Sequence, residues 1–127
     1  IQYWVNPKSE ILLDNNWMDI VGYSSFTKFK TENSETLLKR VIRSTSNQTD
    51  LILDFFLGSG TTTAVAHKLG RKWIGVEMGE HFYTVVLPRM KKVLAYDRSG
   101  ISRENDVKVN YNKKKAGGFF QYYELEQ

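Results

Sequence analysis

The sequence predicts an α/β fold built around a strand, a helix and a second, parallel strand. Three observations predict it. The run "DLILDFF" from Asp50 to Phe56 is short and almost wholly apolar, as a buried strand is. After the turn Gly58-Ser59-Gly60, the segment Thr61 to Leu69 reads as a helix that stops at Gly70, a residue suited to a left-handed cap. "RKWIGVE", from Arg71 to Glu77, then reads as a second strand. Strand, short helix and strand in that order form a βαβ unit with a right-handed crossover.

Each remaining element follows from its own pattern. The first 30 residues show no clear period and read as irregular structure with at most a short extended piece, a connection from a missing upstream region. In "NSETLLKRVIRS", Leu37, Leu38, Val41 and Ile42 fall on one helical face, and Ser34 can cap its start. From Glu80 onward Phe82, Val85, Val86, Met90, Val93 and Leu94 keep helical spacing, with Pro88 expected to kink or interrupt the helix. Beyond Gly100, Val107, Val109 and Tyr111 alternate with polar residues, "NKKKAGG" reads as a turn and "FFQYYEL" as a strand, which predicts a β-hairpin. The expected organisation is a connecting segment over 1–30, a βαβ core over 31–96 and a small, basic β-hairpin tail over 97–127.

Composition excludes several classes. The 127 residues suffice for one modest core, not two domains. With no cysteine and only His67 and His81 as imidazole donors, there is no disulfide framework or thiolate metal site, which suits a reduced, cytoplasmic setting. No apolar run approaches the roughly 20 residues of a membrane helix, and "IQYWVNPKSE" lacks the regions of a signal peptide. Residues 1–80 hold nine basic and nine acidic side chains, whereas 81–127 hold nine against five, so the whole net charge of +4 lies in the last third. That excess suits a polyanionic partner and equally a solvated basic face; Lys113 to Lys115 read first as a solvated turn.

The chemistry gathers around the predicted βαβ unit. Ligands of open α/β sheets bind outside the carboxyl ends of the strands. Asp54, Phe55 and Phe56 end the first strand there, and Gly58, Ser59 and Gly60 form a turn that a ligand can approach closely. Thr61 and Thr62 open the helix. Glu77 ends the second strand, where a carboxylate can accept hydrogen bonds from both hydroxyls of a ribose. A Gly-Ser-Gly turn alone is equally well a plain connection, but joined to Asp54, Glu77 and the preceding helix it reads as a nucleoside site. Gly60 is followed by three threonines rather than Lys, against a triphosphate loop, and Thr63 stands where a dinucleotide fingerprint wants a small residue. S-Adenosylmethionine has ribose, adenine and a cationic sulfonium without phosphate. The Asp54 carboxylate and the ring of Phe55 or Phe56 suit such a ligand, although the two rings point to opposite strand faces, so at least one is expected to be core.

"DFFLGSGTTTAVAHKLGRKWIGVE" resembles the cofactor motifs of DNA amino-methyltransferases, in particular the β-type order in which the catalytic motif precedes the cofactor motif. "WMDI" at Trp17 to Ile20 is similar to the Trp-x-Asp-Ile segment of that family, and "KTENSETLLKRVI" to its helix before the first strand, departing at Glu32, Asn33 and Ser34 from the usual Gln-Lys-Pro. "LPRMKKVL" and "GGFFQYYEL" resemble the modification subunits of type III restriction systems, which are N6-adenine methyltransferases. The resemblance implies part of a Rossmann-like fold and an S-adenosylmethionine site. It assigns Asp54, Phe56, Gly58 and Gly60 to the cofactor and Glu77 to its ribose, and sets Thr31, Glu32 and Asn33 beside its methionine end. The wider set expected at the cofactor adds Phe55, Ser59, Thr61, Thr62 and Met78.

The Asp-Pro-Pro-Tyr type of catalytic motif is absent: the two prolines, in "NPKS" and "LPRM", are not followed by a second proline and an aromatic residue. The sequence therefore reads as the carboxyl-terminal, cofactor-binding part of a longer enzyme, inactive alone. Its expected partners are DNA, the amino-terminal half or a second copy, and a restriction subunit; no membrane and no metal are implied. Two alternatives stay open, the same part of an N4-cytosine methyltransferase and a non-catalytic, NAD-type nucleotide-binding module.

Overall fold

The computed structural model describes residues 16–23 and 32–125. Helix α1 spans Glu35–Thr45 and strand β1 Leu51–Asp54; helix α2, Thr61–Lys68, and strand β2, Lys72–Gly75, follow. The two strands are parallel, with Leu51 opposite Lys72 and Asp54 opposite Gly75, so the βαβ expectation holds. Among the described residues these form the one sheet. The molecule is mixed helix and small parallel sheet, an α/β arrangement.

The start of α1 follows from its cap. The Ser34 hydroxyl accepts the Leu37 N–H at 3.2 Å, satisfying one of the donors that a helix start leaves open. Helix α2 is the hub, packing against α1, both strands and the later helix α3 (Leu87–Leu94). Its Ala64, Val65 and Ala66 are buried with Leu69, Ile42, Val86, Met90 and Val93. Gly70 ends it in the left-handed region (φ 73°), as the sequence predicts.

Three expectations need correction. Strand β1 is not buried on both faces: Leu51 and Leu53 remain 56% and 48% exposed, because α2 covers only the face that carries Ile52 and Trp73. Pro88 does not break the chain's helical course. Phe82–Val86 winds as a π-helix, Leu87 N–H bonding the Phe82 carbonyl five residues back, and passes directly into α3, where Pro88 stands in the first turn and needs no donor.

The basic tail is not a β-hairpin. Gly100–Arg103 is a 3-10 turn, Asn105–Lys108 a short helix α4, and 117–125 has no regular secondary structure and no strand partner among the described residues. Val107 and Tyr111 both point inward, four residues apart, while Val109 between them is exposed. The spacing that governs is therefore helical. The Tyr111 hydroxyl fixes it, donating to the Val93 carbonyl (2.5 Å) and accepting the Asp97 N–H (2.7 Å). Lys113 to Lys115 do form an exposed turn. The connecting segment expected over 1–30 lies largely outside the described residues; within it, Asp19 makes a two-pronged pair with Arg40 (3.0 and 2.6 Å), and Tyr23 bridges Asn33.

Candidate cofactor site

At the carboxyl end of β1 the chain turns sharply, and both glycines of the turn take positive φ, 56° at Gly58 and 78° at Gly60. The turn closes on itself through Gly60 N–H to the Leu57 carbonyl (2.9 Å) and passes straight into α2. A cavity of about 240 Å³ opens here, lined by Asn33, Asp54, Phe56, Leu57, Gly58, Ser59, Thr61 and Thr62. Seven of these eight belong to the set expected from the sequence, drawn from segments more than 20 residues apart.

Glu77 lies two residues beyond β2 and reaches back to the turn. Its Oε2 accepts the Gly58 N–H and its Oε1 the Gly79 N–H, each at 2.8 Å, and His81 Nε2 stands 3.2 Å from Oε2. Burial alone would raise its pKa. The two backbone N–H groups and His81 outweigh that, so the carboxyl is held below its ordinary value of 4.5 and stays ionised. Asp54 accepts the Phe56 N–H at Oδ1 (3.0 Å). Among the described residues no lysine or arginine lines the cavity, and the lining they supply is acidic and hydroxylic, suited to a cation rather than a phosphate.

The remaining expected residues divide. Phe56, in the cavity lining, is 90% exposed and Phe55 is exposed as well, so neither ring is core among the described residues; Met78 is 96% exposed and does not line the cavity. Thr31 lies outside the described residues. Glu32 lies buried rather than facing the cavity, with Oε1 2.6 Å from Arg89 Nη1. Ser59 and Thr61 line the cavity, but their hydroxyls bond each other (3.0 Å), and Thr61 also accepts from Arg89.

Sequence reasoning missed Arg89 and Lys68. Both are buried and ion-paired, Arg89 to Glu32 and Glu35, Lys68 to Glu35 (2.9 Å) and Asp97 (3.1 Å). The available signal was spacing: Arg89 falls between Val86 and Val93 at i+3 and i+4, and Lys68 three residues after Val65, each on an apolar helix face. A second cavity, about 420 Å³, runs along the outer face of α1, but its Lys39, Arg40 and Arg43 are already paired with Glu104, Asp19 and Asp106.

Residues 2–88 match the model of a family described as DNA methylase. The chain belongs to this family. It is 41% identical over 95% of its length to a probable type III restriction-modification enzyme HindVI Mod subunit of Haemophilus influenzae, covering 15% of that protein. It is 49% identical over 59% of its length to the type II methyltransferase M.BamHI of Bacillus amyloliquefaciens, covering 18%. A third relative, the DNA adenine methyltransferase YhdJ of Escherichia coli, is 31% identical over 89% of this chain, which covers 35% of it. The DNA methylase chain thus spans about a third or less of these relatives' lengths.

Proposed function

We propose that this chain is the S-adenosylmethionine-binding portion of a DNA adenine N6-methyltransferase of a restriction-modification system, and that its βαβ unit is part of a Rossmann-like sheet. The observation that carries the reading is the acidic, hydroxyl-lined cavity at the end of β1, with Glu77 hydrogen-bonded to its glycine turn. Family membership and the restriction-modification methyltransferases among the relatives support the reaction class.

When bound, the cofactor supplies an electrophilic methyl group on a sulfonium. The work of the chain's residues is to bind and orient it. Asp54, with one oxygen held by the Phe56 N–H, offers the other to the ammonium group, and Asn33 and Thr62 line the same cavity. Glu77 takes the ribose hydroxyls, its lowered pKa keeping it an acceptor at neutral pH. The cavity is smaller than the ~300 Å³ at which ligand sites usually begin, so the adenine extends outward over the exposed Phe56. The groups that hold the target amine come from an Asp-Pro-Pro-Tyr type of motif, which this sequence lacks, so the chain alone transfers no methyl group.

DNA is the substrate partner, the catalytic segment or a second copy completes the sheet, and a restriction subunit belongs to the same system; the setting is the cytoplasm. The test is product analysis. The full polypeptide, given methyl-labelled S-adenosylmethionine and DNA, should yield N6-methyladenine, and this chain alone should yield none. N4-methylcytosine as the product would favour the sister chemistry. Binding of NAD in place of S-adenosylmethionine would overturn the reading.

A further inference from the structure

We infer that Arg89 is a positioning residue for the cofactor turn, tying Ser59–Thr61 to Glu32 so that Asn33 and Thr62 are held around one cavity. The inference rests on the cofactor reading above. Arg89 enters from the first turn of α3 and is buried. Its Nη1 donates to Glu32 Oε1 (2.6 Å), Thr61 Oγ1 (3.0 Å) and the Ser59 carbonyl (3.3 Å); Nη2 donates to Glu35 Oε1 (3.2 Å). A planar guanidinium spans these directions from a fixed fork, whereas an ammonium is one point charge.

The geometry links the two sides of the cavity. Glu32 immediately precedes Asn33, which lines the cavity from the α1 side, and Ser59 and Thr61 flank Gly60, which carries the turn into α2. The Ser59 and Thr61 hydroxyls are turned toward each other and Arg89, while Thr62 and Asn33 stand on the cavity's two sides as further polar lining residues. Glu35 extends the network to Lys68, which joins α2 to Asp97 and the Ser99 carbonyl. The turn is thus braced by three helices, and a shift of Arg89 moves both walls of the cavity together. A buried, fully bonded network of this kind acts as a unit, and its coupling is measurable only by paired substitutions.

The experiment is a double-mutant cycle in the full polypeptide, Glu32→Gln with Thr61→Val, read as the dissociation constant of S-adenosylmethionine well below each variant's melting temperature. Neither substitution removes Arg89, and both nearly keep side-chain volume. Each should weaken binding by about tenfold, and the pair scarcely more than either alone, because both act through Arg89. Arg89→Lys should bind more weakly than wild type even when folded, because one ammonium cannot span the acceptors that the guanidinium does. Independent, multiplying effects, or lowered melting temperatures with unchanged affinities, would overturn the positioning role. Glu77→Ala separates the two levels. Binding lost in that variant but untouched by the cycle refutes the inference alone, whereas no binding by the wild type refutes the cofactor reading and this inference with it.

Discussion

At Lys68 an ammonium group sits at zero exposure beneath α1, held by Glu35, Asp97 and a backbone carbonyl. Its loss would leave Asp97 and Glu35 facing a buried gap. Lys68→Ala is therefore expected to destabilise the fold by about 3–5 kcal/mol, measured by denaturant melts; a change within error of zero would show the pairs to be dispensable. Residue by residue, the candidate site was legible where chemistry is tied to residue type. Asp54, Gly58 and Glu77, picked out together at the strand ends, do meet at one turn beside a cavity. Arg89 and Lys68 were not legible, since cations are exposed by default and burial becomes visible only once α1 and α3 are packed against α2. Glu32 shows the same limit: expected beside the cofactor, its buried side chain answers to Arg89.

The elements respond to local rules that can be tested one at a time. Ser34→Ala removes the acceptor for Leu37 N–H and should cost about 1 kcal/mol, seen as a lower denaturation midpoint with an unchanged slope. Gly60→Ala forces a side chain into the left-handed region and sets a Cβ 3.3 Å from Val86 Cγ1. A loss of about 1–2 kcal/mol is expected from the conformation alone, together with weaker cofactor binding; an Ala variant as stable as wild type would mean that the turn relaxes freely. Helix α1, the Gly58–Gly60 turn, α2 and β2 were readable because capping and periodicity agree there. In the tail, Val107, Val109 and Tyr111 fit an alternating pattern by coincidence. Tertiary contacts selected the i, i+4 pair Val107 and Tyr111, whose hydroxyl ties the tail to α3.

Across the whole molecule, acid is the simplest probe of the ionic scaffold. Burial pushes the carboxyls of Glu77, Asp97 and Asp106 up, yet each ends below its ordinary value. Gly79, Gly58 and His81 hold Glu77 down, Ser99 and Lys68 hold Asp97, and Lys39 and Arg43 hold Asp106. A folded-state pKa below the unfolded one means that the unfolded chain binds more protons in acid. Stability should therefore be full above the ordinary values of 4.5 and 3.8 and fall as pH drops through the lowered ones, with the decline setting in near pH ~5. Denaturation midpoints unchanged between pH 6 and 3 would contradict this. The sheet keeps an uncovered apolar face, with Leu51, Leu53 and Ile74 exposed, as a two-strand piece of a larger sheet is expected to leave. An apolar strand reads the same whether one of its faces is covered or both.

The measurement that tests the central claim most directly is calorimetric titration of the full polypeptide with S-adenosylmethionine, with NAD in parallel and Glu77→Ala as the site control. Saturable binding of S-adenosylmethionine, none of NAD, and about 10- to 100-fold weaker binding in the variant, the worth of hydrogen bonds to a charged group, are the results predicted. Equal affinity in wild type and Glu77→Ala, or a preference for NAD, would contradict the assignment of this strand-end cavity to the methyl donor.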